Sequence, residues 1–185
     1  MNHAKLRNMQ YVRRFNFHSC VRYQNVAEHS YYVALYAQAI AKRVFISYSE
    51  PVQRNFVASV VSMALKHDMA EAVTGDIPYL VRKHMDREEL QRIEHVAYTE
   101  LDVDYDYEYD DPLVYAIVAL ADAIELKVYC QEERNRGNQN LWTIEKETQG
   151  RIERSLEDPQ ISIPGEIWAM LEDVGSRSEP DFLSH

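Results

Sequence analysis

Cysteine is scarce in this sequence of 185 residues, and its two cysteines, Cys20 and Cys130, are far apart. Without a CxxC pair, the sequence offers neither a thiolate zinc site nor a disulfide framework. Glycine and proline are also few, with 5 and 6 residues, which argues against disorder and against a β-protein with many turns. We therefore expect a mostly helical protein with reduced thiols, and we predict a cytoplasmic location.

Long apolar runs and an excess of basic residues are missing as well. No apolar stretch approaches the length of a membrane span, and the first residues, MNHAKLRNMQ, are polar, so we expect neither an anchor nor a signal peptide. Lys and Arg together number 20 against 30 Asp and Glu, for a net charge of −10. Such a charge repels nucleic-acid polymers and membrane surfaces. A small molecule is the expected partner, and an anionic one would require a local cluster of cations.

The pattern of apolar residues predicts an all-α fold of about six or more helices. Neither repeats nor Gly/Ser-rich linkers divide the chain, so we expect residues 1–185 to form a single domain. Capping boxes predict helix starts at Asn25 and Asp86, and proline in the first turn predicts starts near Pro51 and at Asp111-Pro112. The middle of the last of these helices is apolar all round, which predicts a central position, and the helix should end at Gly137.

Two further segments complete this interpretation. The acidic, tyrosine-rich residues 102–111 are expected to form a solvated loop, since they would make a poor buried strand. The C-terminal third, which contains NLWTIEKETQGRIERSLED and PGEIWAMLEDV, predicts two amphipathic helices on the outside.

Four titratable residues fall on faces that the helical periodicity assigns to the core: His29, the adjacent pair His67 and Asp68, and Asp122. Any one of them alone would be an ordinary hydrogen-bonded core residue. Together they are costly to bury, and no Lys or Arg stands on the same faces to compensate them. The set therefore predicts one shared cation. Two imidazoles and two carboxylates suit a divalent ion such as Mn²⁺, Co²⁺, Zn²⁺ or Mg²⁺.

The ordered pattern of these residues resembles the H…HD…D signature of the HD-domain phosphohydrolase superfamily. Within it, NVAEHS followed by HDMAEAVTGDIP is similar to the matching segments of YfbR-like 5′-deoxyribonucleotidases, and the similarity covers roughly residues 10 to 130. The resemblance implies a compact HD-domain helical bundle. It also implies that His29, His67, Asp68 and Asp122 hold one divalent ion that binds the substrate phosphate.

The same resemblance implies roles for the residues around this set. Glu71, three residues after Asp68, is expected to be the carboxylate that handles the attacking water, and Asp76 to contact the sugar and assist proton transfer. Arg14 and Phe15 occupy the place of an Arg-Trp pair in which the guanidinium orients phosphate and the aromatic ring packs near the nucleoside. Phenylalanine at the second position is a departure that bears on base selectivity.

Residues after Asp76 complete the predicted substrate pocket, which consists of Ile77, Pro78, Tyr79, Arg82 and Lys83. Tyr79 would line the sugar or base site. Arg82 and Lys83, with Lys66 and Arg22, would supply the additional cations that a triphosphate requires.

Three alternatives to a monophosphate-specific 5′-nucleotidase stay open. One is a triphosphohydrolase, as in short phage enzymes of the same superfamily that act on dATP. Another is a metal-containing nucleotide-binding module without activity. A third, a cyclic-nucleotide phosphodiesterase, would need further ligands, and His18, His84 and His95 lack the matching spacing. The resemblance also implies a homo-oligomer, a dimer or larger.

Overall fold

The computed structural model describes residues 1–103 and 111–161, with Gly165 and Ala169. In this part of the chain the secondary structure is helical, with a short 3₁₀ helix at Arg7–Gln10 and one isolated β-bridge between Arg13 and Asn25. The α-helices are α1 (His3–Leu6), α2 (Val26–Val44), α3 (Glu50–Lys66), α4 (Glu71–Thr74), α5 (Tyr79–His84), α6 (Arg87–Leu101), α7 (Pro112–Asn135) and α8 (Trp142–Leu156). The all-α prediction is confirmed.

Helix starts follow the predicted caps. The side chain of Asn25 accepts a hydrogen bond of 2.9 Å from the Glu28 amide at the start of α2, and Asp111 accepts one of 2.9 Å from the Leu113 amide at the start of α7. Each bond satisfies an N–H group that has no partner inside the helix. The reciprocal half of the predicted capping box at Asn25 is not found, because the carboxylate of Glu28 pairs with Arg22 instead.

Helix α7 lies at the centre of the described fold. It packs against α2, α3 and α8, and its inward residues Ile117, Leu120, Ala121 and Ile124 are fully or almost fully buried. This explains why the middle of its sequence is mostly apolar, since neighbours cover it on several sides. Asp122 lies in this middle part and is 26% exposed.

The segment before α2 is tied to α7 by a buried carboxylate. Glu133 is 0% exposed, and it accepts hydrogen bonds from the backbone amides of Val21 and Arg22 and from the side chain of Asn138, at 2.7, 2.8 and 2.7 Å. The hydroxyl of Tyr129 donates to the Arg22 carbonyl at 2.7 Å. These bonds fix the chain that leads from Arg14 and Phe15 into α2.

Some elements were not anticipated, and some predictions fall outside the described residues. Periodicity did not indicate α1 or α5, which are only 4 and 6 residues long and bury none of their residues. Residues 104–110 of the predicted acidic loop lie outside the described residues. The last predicted helix, PGEIWAMLEDV, also lies outside them, apart from Gly165 and Ala169. Among the described helices, none is long and apolar enough to cross a membrane.

Truncating a core residue of α7 tests the central position of this helix. Ile117→Ala should lower the free energy of unfolding by about 2 to 5 kcal/mol, because the site is 0% exposed and the cavity cannot fully collapse. Urea unfolding with EDTA present would measure it. The control Val96→Ala, at a residue that is 55% exposed on α6, should change stability by less than about 0.5 kcal/mol. Equal losses for both variants would contradict this packing.

Candidate active site

The four predicted metal ligands come from three elements that meet at α7. His29 lies in the first turn of α2, His67 and Asp68 directly follow α3, and Asp122 lies in the middle of α7. Adjacent residues inside a helix point about 100° apart. Because α3 ends at Lys66 and residues 67–70 form a tighter turn, His67 and Asp68 can both face His29.

Their side chains converge on one point. His29 Nε2 lies 3.4 Å from an Asp68 oxygen and 3.4 Å from an Asp122 oxygen, and His67 Nε2 lies 3.2 Å from the same Asp68 oxygen. One donor atom each from His29, His67 and Asp122 falls within 4.8 Å of the others. Ligand atoms about 2.1 Å from a shared ion are at most about 4.2 Å apart, so this arrangement needs only a small contraction to hold a metal.

In both imidazoles, the Nδ1 atom already lies within hydrogen-bond distance of an oxygen acceptor. Nδ1 of His29 lies 2.5 Å from a Glu125 oxygen, and Nδ1 of His67 lies 2.6 Å from the Ala64 carbonyl. Acceptors at these positions favour a proton on Nδ1, so Nε2 is the nitrogen that can give its lone pair to a metal once any proton there is released. Both Nε2 atoms are buried and lack a hydrogen-bond partner in the described part of the chain. These residues therefore fit a divalent cation, and they form a candidate His/Asp metal site.

Charge around His29 has a strong effect on its protonation. Burial lowers the pKa of this imidazole and so does Arg14, but the carboxylates around the ring outweigh both and raise the pKa of His29 to about 10. His29 and His67 in turn hold the pKa of Asp68 well below its usual range, against the effect of burial. In the metal-free protein, a proton on His29 thus supplies the positive charge that the carboxylates require.

The expectation that no cation compensates these residues is wrong. The Nη1 atom of Arg14 lies 2.6 Å from His29 Nδ1 and 3.2 Å from Glu125, and Arg151 on α8 donates to Asp122 at 3.1 Å. Neither arginine belongs to the helices that carry the predicted ligands, so the face-by-face reasoning could not find them. The site is nonetheless acidic, and within residues 1–103 and 111–161 both imidazole Nε2 atoms still lack a hydrogen-bond partner.

Glu71 and Asp76 lie beside the predicted ligands. The Glu71 amide bonds to the Asp68 carbonyl at 3.0 Å, which keeps the turn helical enough to bring Glu71 to the ligand side, and its Oε2 atom is buried without a hydrogen-bond partner in the described chain. Burial, with Asp68 and Asp76, raises the pKa of Glu71 to about 8. Burial also raises the pKa of Asp76, while Arg14 and the Phe15 amide oppose that rise. The structure therefore brings Glu71, Asp76 and Arg14 together.

Phe15 stands at the edge of this group in an unusual conformation. Its φ angle of 59° lies in the left-handed region, which is uncommon for a bulky residue and is often found near functional sites. Its ring stacks on Tyr129 with a centroid distance of 4.9 Å and an interplanar angle of 8°. One face of the ring is thus covered by the protein, and Phe17, which is 80% exposed, does not share this environment.

The remaining predicted substrate residues fall into two groups. Ile77 and Arg82 line a small pocket of about 20 Å³ together with His67, Asp68 and Glu71, and Arg82 pairs there with Glu94 at 2.8 Å. Pro78 caps α5. Tyr79 and Lys83 are exposed on α5, and the structure does not place them in that pocket.

Sequence reasoning missed three residues of the site: Glu125, Gln24 and Arg151. Glu125 had a signal, because it follows Asp122 by three residues and so shares its helix face. Gln24 and Arg151 had none, since neither interrupts an apolar pattern. Gln24 is buried and donates to Glu125 at 2.5 Å.

The fold is shared with a solved HD phosphohydrolase. The structure of cyanophage S-2L HD phosphohydrolase DatZ, bound to dA and one catalytic Zn²⁺ ion, superposes with a TM-score of 0.69. The match covers 96% of this chain and 98% of that one at 16% sequence identity. The fold is therefore that of the HD-domain phosphohydrolases.

The family follows from the sequence itself. Residues 2–163 match the YfbR-like 5′-deoxynucleotidase family. A 5′-deoxynucleotidase of Shewanella oneidensis is 32% identical over 165 residues, covering 81% of this chain and 83% of the relative. One of Yersinia pestis (strain Pestoides F) is 29% identical over 168 residues, covering 83% and 81%. The chain belongs to the YfbR-like 5′-deoxynucleotidase family.

Metal binding to this site should be coupled to proton release. Since the pKa of His29 is raised to about 10 in the metal-free protein, below that pH a divalent ion must displace the proton on Nε2. The apparent affinity for Mn²⁺ should therefore rise with pH from about 6.5 to 8.5, by up to about tenfold per unit for each proton released. Calorimetric titrations in buffers with different ionisation enthalpies would count the protons.

His95→Ala is the control for this titration, because His95 is exposed on α6. This substitution should change neither the Mn²⁺ affinity at each pH nor the number of protons released. A wild-type affinity independent of pH, with no proton released, would contradict the predicted protonation of His29.

Proposed function

We propose that the chain is a metal-dependent 5′-nucleotidase that removes phosphate from deoxyribonucleoside 5′-monophosphates. The observation that carries this proposal is the pair of buried Nε2 atoms, on His29 and His67. They face carboxylates of Asp68 and Asp122 and lack hydrogen-bond partners among the described residues. Membership of the YfbR-like family, and relatives named 5′-deoxynucleotidase, support the substrate class.

His29, His67, Asp68 and Asp122 are the proposed ligands of one divalent ion. When bound, such an ion polarises a phosphoryl group and neutralises the charge that develops on it. The chemistry of the donors is compatible with Zn²⁺, Co²⁺, Mn²⁺ and Mg²⁺, and nitrogen ligands favour the transition metals over Mg²⁺. Zn²⁺ is the ion in the cyanophage structure of the same fold.

Glu71 is the proposed general base. Its buried Oε2 atom lies beside Asp68, and a pKa raised to about 8 by burial and by its acidic neighbours suits proton transfer near neutral pH. In this role it would take a proton from the water that attacks phosphorus. Asp76, whose pKa burial also raises, is proposed to contact the sugar and to assist the return of a proton to the leaving oxygen.

Arg14 is the proposed phosphate-orienting residue. Its guanidinium is mostly buried and lies among the carboxylates of the site, where it can hold an anion with directed N–H bonds. Phe15 is proposed to pack near the nucleoside, in the strained backbone position that its stacking on Tyr129 stabilises. A cytoplasmic location, a homo-oligomer and a single domain over residues 1–185 stay predictions.

A triphosphohydrolase is the second candidate because two more cations border the site. Arg151 contacts Asp122 at 3.1 Å, and Arg82 lines the pocket that contains Asp68 and Glu71. A longer phosphate chain would find partners there, although both arginines already have acidic partners, Asp122 and Glu94. Lys83 on the exposed side of α5 is less suited to this role.

A substrate panel separates these functions. The protein, loaded in turn with Mn²⁺, Co²⁺ and Mg²⁺, would be incubated with deoxynucleoside mono-, di- and triphosphates of each base, and the released phosphate species identified. We expect orthophosphate and deoxynucleoside from the monophosphates. Release of triphosphate without turnover of monophosphates would overturn the first proposal in favour of the second.

Glu71→Gln tests the proposed general base in the same panel. It should bind metal as the wild type does but lower kcat by about 10²- to 10⁴-fold, the usual contribution of a general base. Glu88→Gln, on the exposed surface of α6, should leave kcat unchanged. Equal kcat for Glu71→Gln and wild type would remove Glu71 from the mechanism, and binding of deoxynucleotides without any turnover would establish a binding module instead.

A further inference from the structure

Glu125 is a buried carboxylate at the site that the proposed reaction does not use. It is 3% exposed and lies one turn beyond Asp122 on α7. Its Oε2 atom is 2.5 Å from His29 Nδ1 and 3.2 Å from Arg14 Nη1, and its Oε1 atom accepts from Gln24 at 2.5 Å. Its two carboxylate oxygens therefore contact His29, Arg14 and Gln24, which come from α2 and the segment before it.

The contacts close into a ring. Arg14 donates to the side-chain oxygen of Gln24 at 2.9 Å, and the amide nitrogen of Gln24 donates to Glu125. Glu125 thus holds Arg14 both directly and through Gln24. A carboxylate has two oxygens with which to accept from His29, Arg14 and Gln24 at once, and its negative charge offsets the close approach of Arg14 Nη1 to His29 Nδ1, which is 2.6 Å.

Charge favours the ionised form of this carboxylate. Burial raises the pKa of Glu125, but His29 and Arg14 outweigh that effect and lower it. A carboxylate held close to a metal-ligating histidine fixes the ring orientation and increases the basicity of the other nitrogen. Here the same carboxylate also restrains the arginine proposed to hold phosphate.

We propose that Glu125 is a positioning residue that couples the candidate metal centre to Arg14. It anchors the His29 ring through Nδ1, so that Nε2 faces Asp68 and Asp122 at the candidate metal position, and it sets the position from which Arg14 meets phosphate. The second part rests on the proposed function of Arg14, whereas the first depends only on His29.

A buried carboxylate of purely structural importance would behave differently, and the same helix provides one. Glu133 lies eight residues later on α7, is fully buried and also accepts three hydrogen bonds, but its donors are Val21, Arg22 and Asn138. Glu133→Gln therefore matches Glu125→Gln in helix, burial and chemistry, but it changes bonds to Val21, Arg22 and Asn138 rather than direct contacts with His29 and Arg14.

Titration of the metal-free protein with Co²⁺, followed by its visible absorption, tests the first part. Glu125→Gln keeps the volume of the side chain but places an N–H₂ group against existing donors. We expect it to weaken Co²⁺ binding by about 10- to 100-fold and to change the absorption spectrum. Glu133→Gln should lower Tm yet leave Co²⁺ affinity within about twofold of the wild type, since distant sites act independently.

Glu125→Ala serves as the second variant, and circular dichroism would establish that each protein is folded. Co²⁺ affinity within about twofold of the wild type in both Glu125 variants would overturn the role toward His29. So would an equal loss of Co²⁺ affinity in Glu133→Gln, because the effect would then be one of general stability.

Binding of inorganic phosphate to the protein at saturating Co²⁺ tests the role toward Arg14. Glu125→Gln should raise the Kd for phosphate by at least about fivefold, the lower end of typical coupling between sites, and Glu133→Gln should not change it. An unchanged Kd in Glu125→Gln would overturn this part. Neither readout requires turnover, so a protein that hydrolyses no deoxynucleotide but shows both losses would refute the proposed function and leave this inference standing.

Discussion

Burying an imidazole with three carboxylates around it costs folding free energy, and most features of the site follow from the need to offset that cost. His29 is 0% exposed and faces Asp68 and Asp122 through Nε2 and Glu125 through Nδ1. Buried charges of one sign destabilise a fold unless a cation offsets them. In the metal-free protein a proton on His29 contributes that charge, with Arg14 beside it. A divalent ion would offset the same carboxylates and engage the two Nε2 atoms.

The fold supplies the two conditions that such a site requires, a dry environment and an interruption of regular helix. Helix α7 is covered on several sides, and Asp122, which is 26% exposed, lies where its buried apolar stretch meets the site. Helix α3 ends at Lys66, which allows consecutive residues to face one point, and the turn that follows brings Glu71 to the same side. Gly75, with a φ of 74°, then turns the chain toward Asp76 and the pocket. Two of the proposed ligands, His29 and Asp122, thus lie within helices, and His67 and Asp68 lie in the turn that follows α3.

Sequence reasoning selected residues that converge in the structure where a periodic pattern was interrupted, and it missed residues where no pattern was interrupted. His29 and Asp122 stood out because each is a titratable residue on an apolar helix face, and the structure brings both to one point. Arg151 left no such signal, since an arginine on an amphipathic helix is ordinary and only tertiary packing brings it to Asp122. Helix α5 escaped notice because a helix of six residues without a buried face has no periodicity to detect. The ring of Glu125 with Arg14 depends on contacts between residues 111 positions apart, which no local pattern encodes.

The most direct test of the account is the location of a bound metal. Crystals grown with Zn²⁺ and measured at its absorption edge should give an anomalous peak within about 2.0 to 2.3 Å of Nε2 of His29 and of His67, and of one oxygen each from Asp68 and Asp122. The same map should show His29 Nδ1 still directed at Glu125. The absence of a peak at this point, or a peak held by other residues, would contradict the claim that these four side chains form one metal site.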